Sequence, residues 1–147
     1  MYYTSEFATT GFTSPNDGYV RKDFPGGWTG DSLNKFELSG RTAKDQEIFT
    51  QVQKLANFRK TSSALCYGKM MQFIPEDGIY AYFRYDDKQT IMVVMNTTNS
   101  EKTVPASKFA DITSNFKTYK NVLTGETGTM AQFKLGAYNS IVLELLK

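Results

Sequence analysis

Ile79-Tyr80-Ala81-Tyr82-Phe83-Arg84-Tyr85, then Asp86-Asp87-Lys88, then Thr90-Ile91-Met92-Val93-Val94-Met95-Asn96, is the stretch that decides the fold class of this chain. Successive side chains of a strand point to opposite faces, so Ile79, Ala81, Phe83 and Tyr85 line one face and Tyr80, Tyr82 and Arg84 the other. The Asp-Asp-Lys interruption carries turn chemistry, and the two runs read as an antiparallel hairpin. The same pattern continues outward. Strands are expected at Met70 to Ile74, Tyr119 to Leu123, Met130 to Leu135 and Ser140 to Leu146, with Glu76-Asp77-Gly78 and Gly125-Glu126-Thr127-Gly128 as turns. Pro105 before Ala106-Ser107-Lys108-Phe109 suits the start of one helical turn. Short antiparallel strands at this spacing describe a β-sandwich.

Upstream the period changes. Ile48, Val52 and Leu55, with Phe49 and Ala56 beside them, recur at helical spacing in a stretch free of Gly and Pro, which predicts a helix from Ala43 to Lys60. Thr42 is its expected N-cap with Asp45 three residues on, a carboxylate variant of the capping box, and Arg59 and Lys60 suit the negative end of the helix dipole. The apolar stripe reads as a packing face. Met1 to Phe7 reads as a short strand, and Thr9 to Gly40 as a long irregular connection rich in Gly, Ser and Asn. A connection of that length is usually functional or a sign that the segment is misplaced in a small domain. The expected organisation is therefore mixed α and β, mainly β, with a boundary near Thr61 to Tyr67 that separates residues 1–63 from a sandwich at 64–147.

Composition narrows the function classes. The chain has 147 residues, 40% of them hydrophobic and 14% aromatic. That is enough for one domain with a core, and well below the roughly 250 residues of a (β/α)8 barrel. A formal net charge of +2 spread along the chain gives no basic stripe of the kind that neutralises phosphates, so nucleic acid is set aside. No long apolar run argues for a membrane span. One cysteine, Cys66, excludes an internal disulfide framework and a thiolate metal cluster, and the absence of histidine removes the commonest metal ligand and base. No metal or other cofactor is expected. Twenty-one aromatic residues suit both a β-rich core and stacking on the apolar faces of sugar rings.

The densest concentration of binding chemistry is Asp17-Gly18-Tyr19-Val20-Arg21-Lys22-Asp23-Phe24-Pro25-Gly26-Gly27-Trp28. Glycine opens backbone conformations closed to other residues and proline fixes φ, so such a loop holds its side chains in set directions. This run resembles the loop after the eighth barrel strand in neopullulanases and cyclomaltodextrinases of the α-amylase family, glycoside hydrolase family 13. Met1-Tyr2-Tyr3-Thr4-Ser5-Glu6 is similar to the end of that strand, departing at Thr4 where the family usually has glycine. Lys54-Leu55-Ala56-Asn57-Phe58-Arg59-Lys60 and Gly68-Lys69-Met70-Met71-Gln72-Phe73-Ile74-Pro75 resemble the last barrel helix and the start of domain C. The resemblance implies a fold: an antiparallel sandwich of the amylase domain C type, preceded by the last strand, long loop and helix of a truncated barrel.

It also implies a chemistry. Retaining glycosidases place two carboxylates about 5 to 5.5 Å apart, one as nucleophile and one as acid/base. In this family these groups, and a third Asp that stabilises the transition state, come from the fourth, fifth and seventh strands, so none maps onto this chain and Glu6, Asp17 and Asp23 are not read as catalysts. The chain alone is expected to be inactive. What it keeps is one wall of the substrate cleft: the family's Asp-x-x-x-Arg pair contacts glucose hydroxyls, and Asp17 and Arg21 match that spacing. Asp23 and Trp28 complete the expected set. Two readings stay open: Asp17 and Arg21 brace the loop by pairing with each other or with Lys22 and Asp23, or they bind sugar; Trp28 is a packing plug under the loop, or it stacks on a sugar. Tyr3 and Phe24 share that ambiguity.

Other motifs read more plainly. Cys66 is expected to be a small buried residue of the junction, Asn96-Thr97-Thr98 to be a chance glycosylation triplet, and Asp77, Asp86 and Asp87 to be solvated turn residues instead of calcium ligands. Expected partners are an α-glucan oligosaccharide in the full-length parent, the missing barrel portion of the same chain, and a second copy for the isolated chain, whose terminal strand would have unpaired edges. Phe7, Phe12 and one helix face are then expected to lack their native cover. A stand-alone carbohydrate-binding or interaction sandwich is the other class of answer, and it calls for a solvent-facing aromatic platform. By resemblance the parent is periplasmic or secreted.

Overall fold

The computed structural model describes residues 4–7 and 9–147. Packing divides the chain into two units, one ending at Gln53 and one beginning at Lys54. The division falls inside α1 (Ala43–Thr61), not in the junction after it. α2 (Ser63–Tyr67) follows at once, its first turn capped by Ser62, whose hydroxyl accepts the Leu65 amide.

The carboxyl-terminal unit is a two-sheet sandwich. β1 (Lys69–Gln72), β2 (Ile79–Tyr85), β3 (Thr90–Asn96), β5 (Thr118–Asn121), β6 (Thr127–Thr129) and β8 (Ser140–Leu146) form one antiparallel sheet in the order β1-β2-β3-β8-β5-β6. β4 (Lys102–Pro105) and β7 (Gln132–Leu135) form the second. Alternation decides what lies between them. Ile79, Ala81 and Phe83 of β2, Met92 and Val94 of β3, and Leu143 and Leu145 of β8 meet Val104 of β4 and Phe133 and Leu135 of β7 in one buried cluster, closed by Phe109. Phe73 lies edge-on to both Phe83 and Phe109, at 5.7 and 5.0 Å between ring centroids. Phe83, Phe109 and Phe133 are fully buried, so truncating any one to alanine removes about 3–5 kcal/mol.

β3 is buried on both faces, which matches its unbroken apolar run: Ile91 and Val93 point away from the sandwich core and are also covered. α2 packs on this side, against β2 and β3. The β1–β2 connection is a tight turn in which Asp77 and Gly78 both take positive φ (51° and 74°), while Glu76 and Ile79 exchange both backbone hydrogen bonds.

β2, β3 and β8 occupy the residues the alternation assigns, and α1 starts at Ala43 as its cap predicts. Four expectations change. The Gly125–Gly128 turn is partly a strand: Thr127–Thr129 pairs with β5 as β6, and the reversal falls earlier, at Val122–Thr124, followed by Gly125 at φ 79°. β4 ends on Pro105, so the proline closes a strand, and the helical turn begins one residue later at Ala106 and runs on through α3 (Ala110–Thr113). Ser63–Tyr67 is a helix instead of a plain junction. Of the expected strand Met1 to Phe7, Met1–Tyr3 and with them the Tyr3 candidate lie outside the described residues, and Thr4–Phe7 forms a turn closed by the Phe7 amide on the Thr4 carbonyl at 3.1 Å. Thr4 sits at φ 64°, a left-handed value that favours glycine, at the position where the family resemblance has glycine.

Candidate substrate-binding loop

In the amino-terminal unit a long loop is tied to the start of a helix. Thr42 and Asp45 close the capping box reciprocally: the Asp45 amide donates to the Thr42 hydroxyl oxygen at 3.1 Å, and the Asp45 carboxylate accepts the Thr42 amide at 3.0 Å and hydroxyl at 2.8 Å. The same carboxylate accepts Lys35 Nζ at 2.8 Å, with the Lys35 side chain 12% and that of Asp45 2% exposed. Arg41 is the second tie. Its Nε donates to the Lys35 carbonyl and its Nη2 to the Phe36 carbonyl, both at 2.8 Å, and its Nη1 reaches Gln46 Oε1 at 3.1 Å. Its guanidinium lies 3.8 Å from the Phe49 ring centre, a cation–π contact in a shielded place.

Rings fill the space beneath. Phe7 stacks on Phe49 at 5.7 Å and 8°, and meets Phe24 edge-on at 5.6 Å; Phe24 in turn packs on Phe36 at 4.3 Å. Phe7 is therefore buried within its own unit, at 5% exposure, and is not the orphan it was expected to be, whereas Phe12 is 82% exposed. The apolar stripe of α1 is left half-covered, with Ile48, Phe49, Val52 and Leu55 all of intermediate burial.

Phe24, not Trp28, is the plug of this loop. After Pro25 the chain passes through Gly26 and Gly27 at φ 122° and 100°, backbone open only to glycine, and a Cβ on Gly26 would stand 2.4 Å from Asn34 Oδ1. That double reversal turns Trp28 outward, and it is 77% exposed. Its backbone is nonetheless held. The Trp28 amide donates to Asp31 Oδ2 at 2.9 Å and the Asp31 amide returns to the Trp28 carbonyl at 3.2 Å. A solvent-facing indole on a held backbone presents a flat apolar face with only two side-chain torsions to order on binding.

Asp17 and Arg21 stand at opposite ends of one 3₁₀ turn, Asp17–Val20, capped by the Asn16 side chain, which accepts the Gly18 amide at 2.9 Å. The turn brings Arg21 Nη2 within 3.4 Å of Asp17 Oδ2, with both side chains more than half exposed. Both the bracing and the sugar-binding readings use this pair, since an exposed ion pair contributes only about 0–1 kcal/mol and its hydrogen-bonding groups remain available to hydroxyls. Asp23 is exposed beside it. The chain thus gathers Asp17, Arg21 and Asp23 on one stretch and Trp28 beyond Phe24, all on the solvent side. Asp31, Lys35 and Arg41 carry no role in the sequence reading and are the residues that hold the loop in shape. The spacing Trp28-x-x-Asp31, an Asp placed to accept an upstream amide, was the available signal.

In the sandwich the remaining motifs resolve into structure. Asn96 is 3% exposed and its amide donates to the carbonyls of Ser100, Leu135 and Gly136, at 2.7, 3.3 and 2.8 Å, so the folded triplet offers no accessible nitrogen for glycosylation. Cys66 is half-buried, not fully so, with its thiol on the Arg59 carbonyl. The Asp86 carboxylate accepts the Lys88 and Gln89 amides at 2.8 Å each; the Ser63 hydroxyl above all, then the Lys88 amide, holds its pKa below the usual Asp value. Glu76 is held low by its hydrogen bond and ion pair with Lys108, at 2.6 Å.

Comparison with known proteins places this architecture. The chain is 25% identical over 130 residues, 83% of its length, to the cyclomaltodextrin glucanotransferase of Geobacillus stearothermophilus, and covers 18% of that protein. Its fold is similar over its whole length to an α-amylase of Geobacillus thermoleovorans solved with acarbose, at TM-score 0.68 and 16% identity, covering 29% of that chain. It is similar over 82% of its length to an Anoxybacillus α-amylase, at TM-score 0.62 and 21% identity, covering 26% of it. The chain thus spans roughly a fifth to under a third of the relatives it matches. Residues 70–144, which hold nearly all of the sandwich and more than half of the chain, match the family model described as the cyclo-malto-dextrinase C-terminal domain, and the chain belongs to that family.

Proposed function

We propose that this chain is the carboxyl-terminal part of a retaining α-glucan-processing glycosidase of the neopullulanase and cyclomaltodextrinase kind. Residues 64–147 act as the supporting sandwich and residues 1–63 as the last piece of the catalytic barrel. The observation that carries the reading is Trp28: a 77% exposed indole on a backbone fixed by Gly26, Gly27 and Asp31, beside the exposed Asp17–Arg21 pair, is built for an external partner and contributes nothing to a local core. Trp28 offers a stacking face, Arg21 donates to sugar hydroxyls, and Asp17 and Asp23 accept from them. The catalytic carboxylates belong to preceding strands, so the chain alone is inactive.

Exposed Phe12, Leu33, Phe36 and Leu38 support the same reading, because a surface of this kind calls for further protein, either the preceding barrel or, in the isolated chain, a second copy. The parent works in the periplasm or outside the cell, where polymeric α-glucan is met. The test is a parent enzyme carrying this sequence after its barrel, assayed on maltooligosaccharide, pullulan and cyclodextrin. Trp28→Ala and Arg21→Ala are expected to raise KM about tenfold each with folding intact, while the 147-residue chain turns over none of the three. Turnover by the chain alone that disappears in Asp17→Asn or Asp23→Asn refutes the assignment.

A further inference from the structure

Beyond the loop, the sandwich carries a cleft that the reading above does not use. It lies between the end of α2 and the β2–β3 turn, has a volume of about 230 Å³, and is lined by Tyr67, Gly68, Lys69, Tyr85, Asp86 and Asp87. We propose that this cleft binds one or two units of a neutral α-linked gluco-oligosaccharide, through residues other than those of the 17–31 loop.

Tyr67 is the reason to look there. The residue is 91% exposed, which is unusual for an aromatic at the junction of a helix and a strand. Its backbone is wedged. A Cβ on Gly68 would stand 2.5 Å from the Ala64 carbonyl and 2.6 Å from the Tyr85 carbonyl, and the Gly68 carbonyl accepts Arg84 Nη2 at 2.8 Å while its amide caps Ala64 at 3.0 Å. The next residue, Lys69, is in register with Tyr85. Helix end and hairpin end are thereby locked together, and Tyr67 is held beside Tyr85 and the Asp86–Asp87 turn without joining the core.

The lining selects its ligand by chemistry. Two carboxylates on one wall repel phosphate and other anions. The Lys69 ammonium opposes a metal cation, and the Asp86 carboxylate is already occupied by two amides and a hydroxyl. A fully apolar ligand would leave Asp87 and Lys69 facing it with their hydration lost. What remains is a neutral molecule with one apolar face for a tyrosine ring and hydroxyls around its edge for a carboxylate and an ammonium, which describes a pyranose. The α-gluco assignment rests on the proposed function; the existence of a sugar site in the cleft does not.

The experiment is a titration of the 147-residue chain with maltotriose, followed by amide NMR, with the emission of Trp28 recorded on the same samples. Saturable shifts are expected at Gly68, Lys69 and Asp87, weakened about fivefold or more by Tyr67→Ala and also by Asp87→Ala, with the spectrum otherwise that of the folded chain. Shifts absent from these residues, or unchanged in Tyr67→Ala, overturn the proposal. Cellotriose binding as tightly as maltotriose overturns the α-linkage. A Trp28 response confined to residues 17–31 bears on the loop alone, so the two readings fail separately.

Discussion

Replacing Asp45 by alanine should damage the loop more than any exposed substitution within it. Asp45 is 1% exposed, and its carboxylate accepts from the Thr42 amide, the Thr42 hydroxyl and Lys35 Nζ. Losing the capping interaction costs about 1 kcal/mol. Lys35, itself 12% exposed at the side chain, is then left with an ammonium in a largely dry place, and removing one partner of such a pair costs about 3–5 kcal/mol. The loss expected for Asp45→Ala is therefore about 4–6 kcal/mol, a large share of the stability of a small unit. Much of the penalty is the stranded charge, so Lys35→Met with Asp45→Leu should recover most of it. Urea unfolding followed by circular dichroism, with amide exchange at the first turn of α1, measures both variants. A single substitution costing under about 1 kcal/mol, or a double one worse than the single, shows that the pair does not hold the loop and refutes the argument.

Three further outcomes follow from the sandwich. Asn96→Ala removes an amide bonded to three carbonyls and should destabilise the unit by about 2–4 kcal/mol in denaturant unfolding, with no change in glycosylation when the chain is secreted from a glycosylating host. Gly68→Ala forces a Cβ against two carbonyl oxygens and should cost about 2–3 kcal/mol, read as a lowered Tm. Glu76 and Asp86 have folded pKa values below their ordinary ones, so their stabilising contribution is present above the ordinary carboxylate range and is lost as pH falls through the lowered values. Carboxyl NMR titration should find both midpoints low, and Lys108→Ala should return Glu76, but not Asp86, toward its ordinary value.

The legibility of this chain followed the strength of its local signals. β2, β3 and β8 are seven-residue strands with alternating or continuously apolar side chains and clear turns at their ends, so pattern and structure coincide at every residue. β6 is three residues, Thr-Gly-Thr, lying so close to the Tyr119 ring that a Cβ on Gly128 would meet it at 2.5 Å; no periodicity announces it. β4 hides because Lys102, Thr103 and Pro105 put a single apolar residue, Val104, into the core. In the loop, glycine and proline revealed rigidity but not direction. Whether Pro-Gly-Gly sends the following tryptophan in or out depends on two positive φ values, and on Phe24 being the ring that finds Phe7 and Phe36. The Tyr67 cleft was invisible because its walls are distant in sequence and meet only through the Lys69–Tyr85 register.

α1 is shared by two packing units, and that bears on how the sandwich is dissected. Lys54 Nζ reaches the Leu123 carbonyl at 3.1 Å, Arg59 Nη1 holds the Leu65 carbonyl at 2.7 Å, and Ser62 bonds Gln89. A cut at the sequence-level boundary of residue 64 would discard all three side chains and leave the Leu123 and Leu65 carbonyls and the Gln89 side chain without these partners. Excising the sandwich as a soluble body requires keeping the helix from Lys54 onward, so the stretch that looks like the tail of the preceding domain is, for purposes of autonomous folding, the first element of this one.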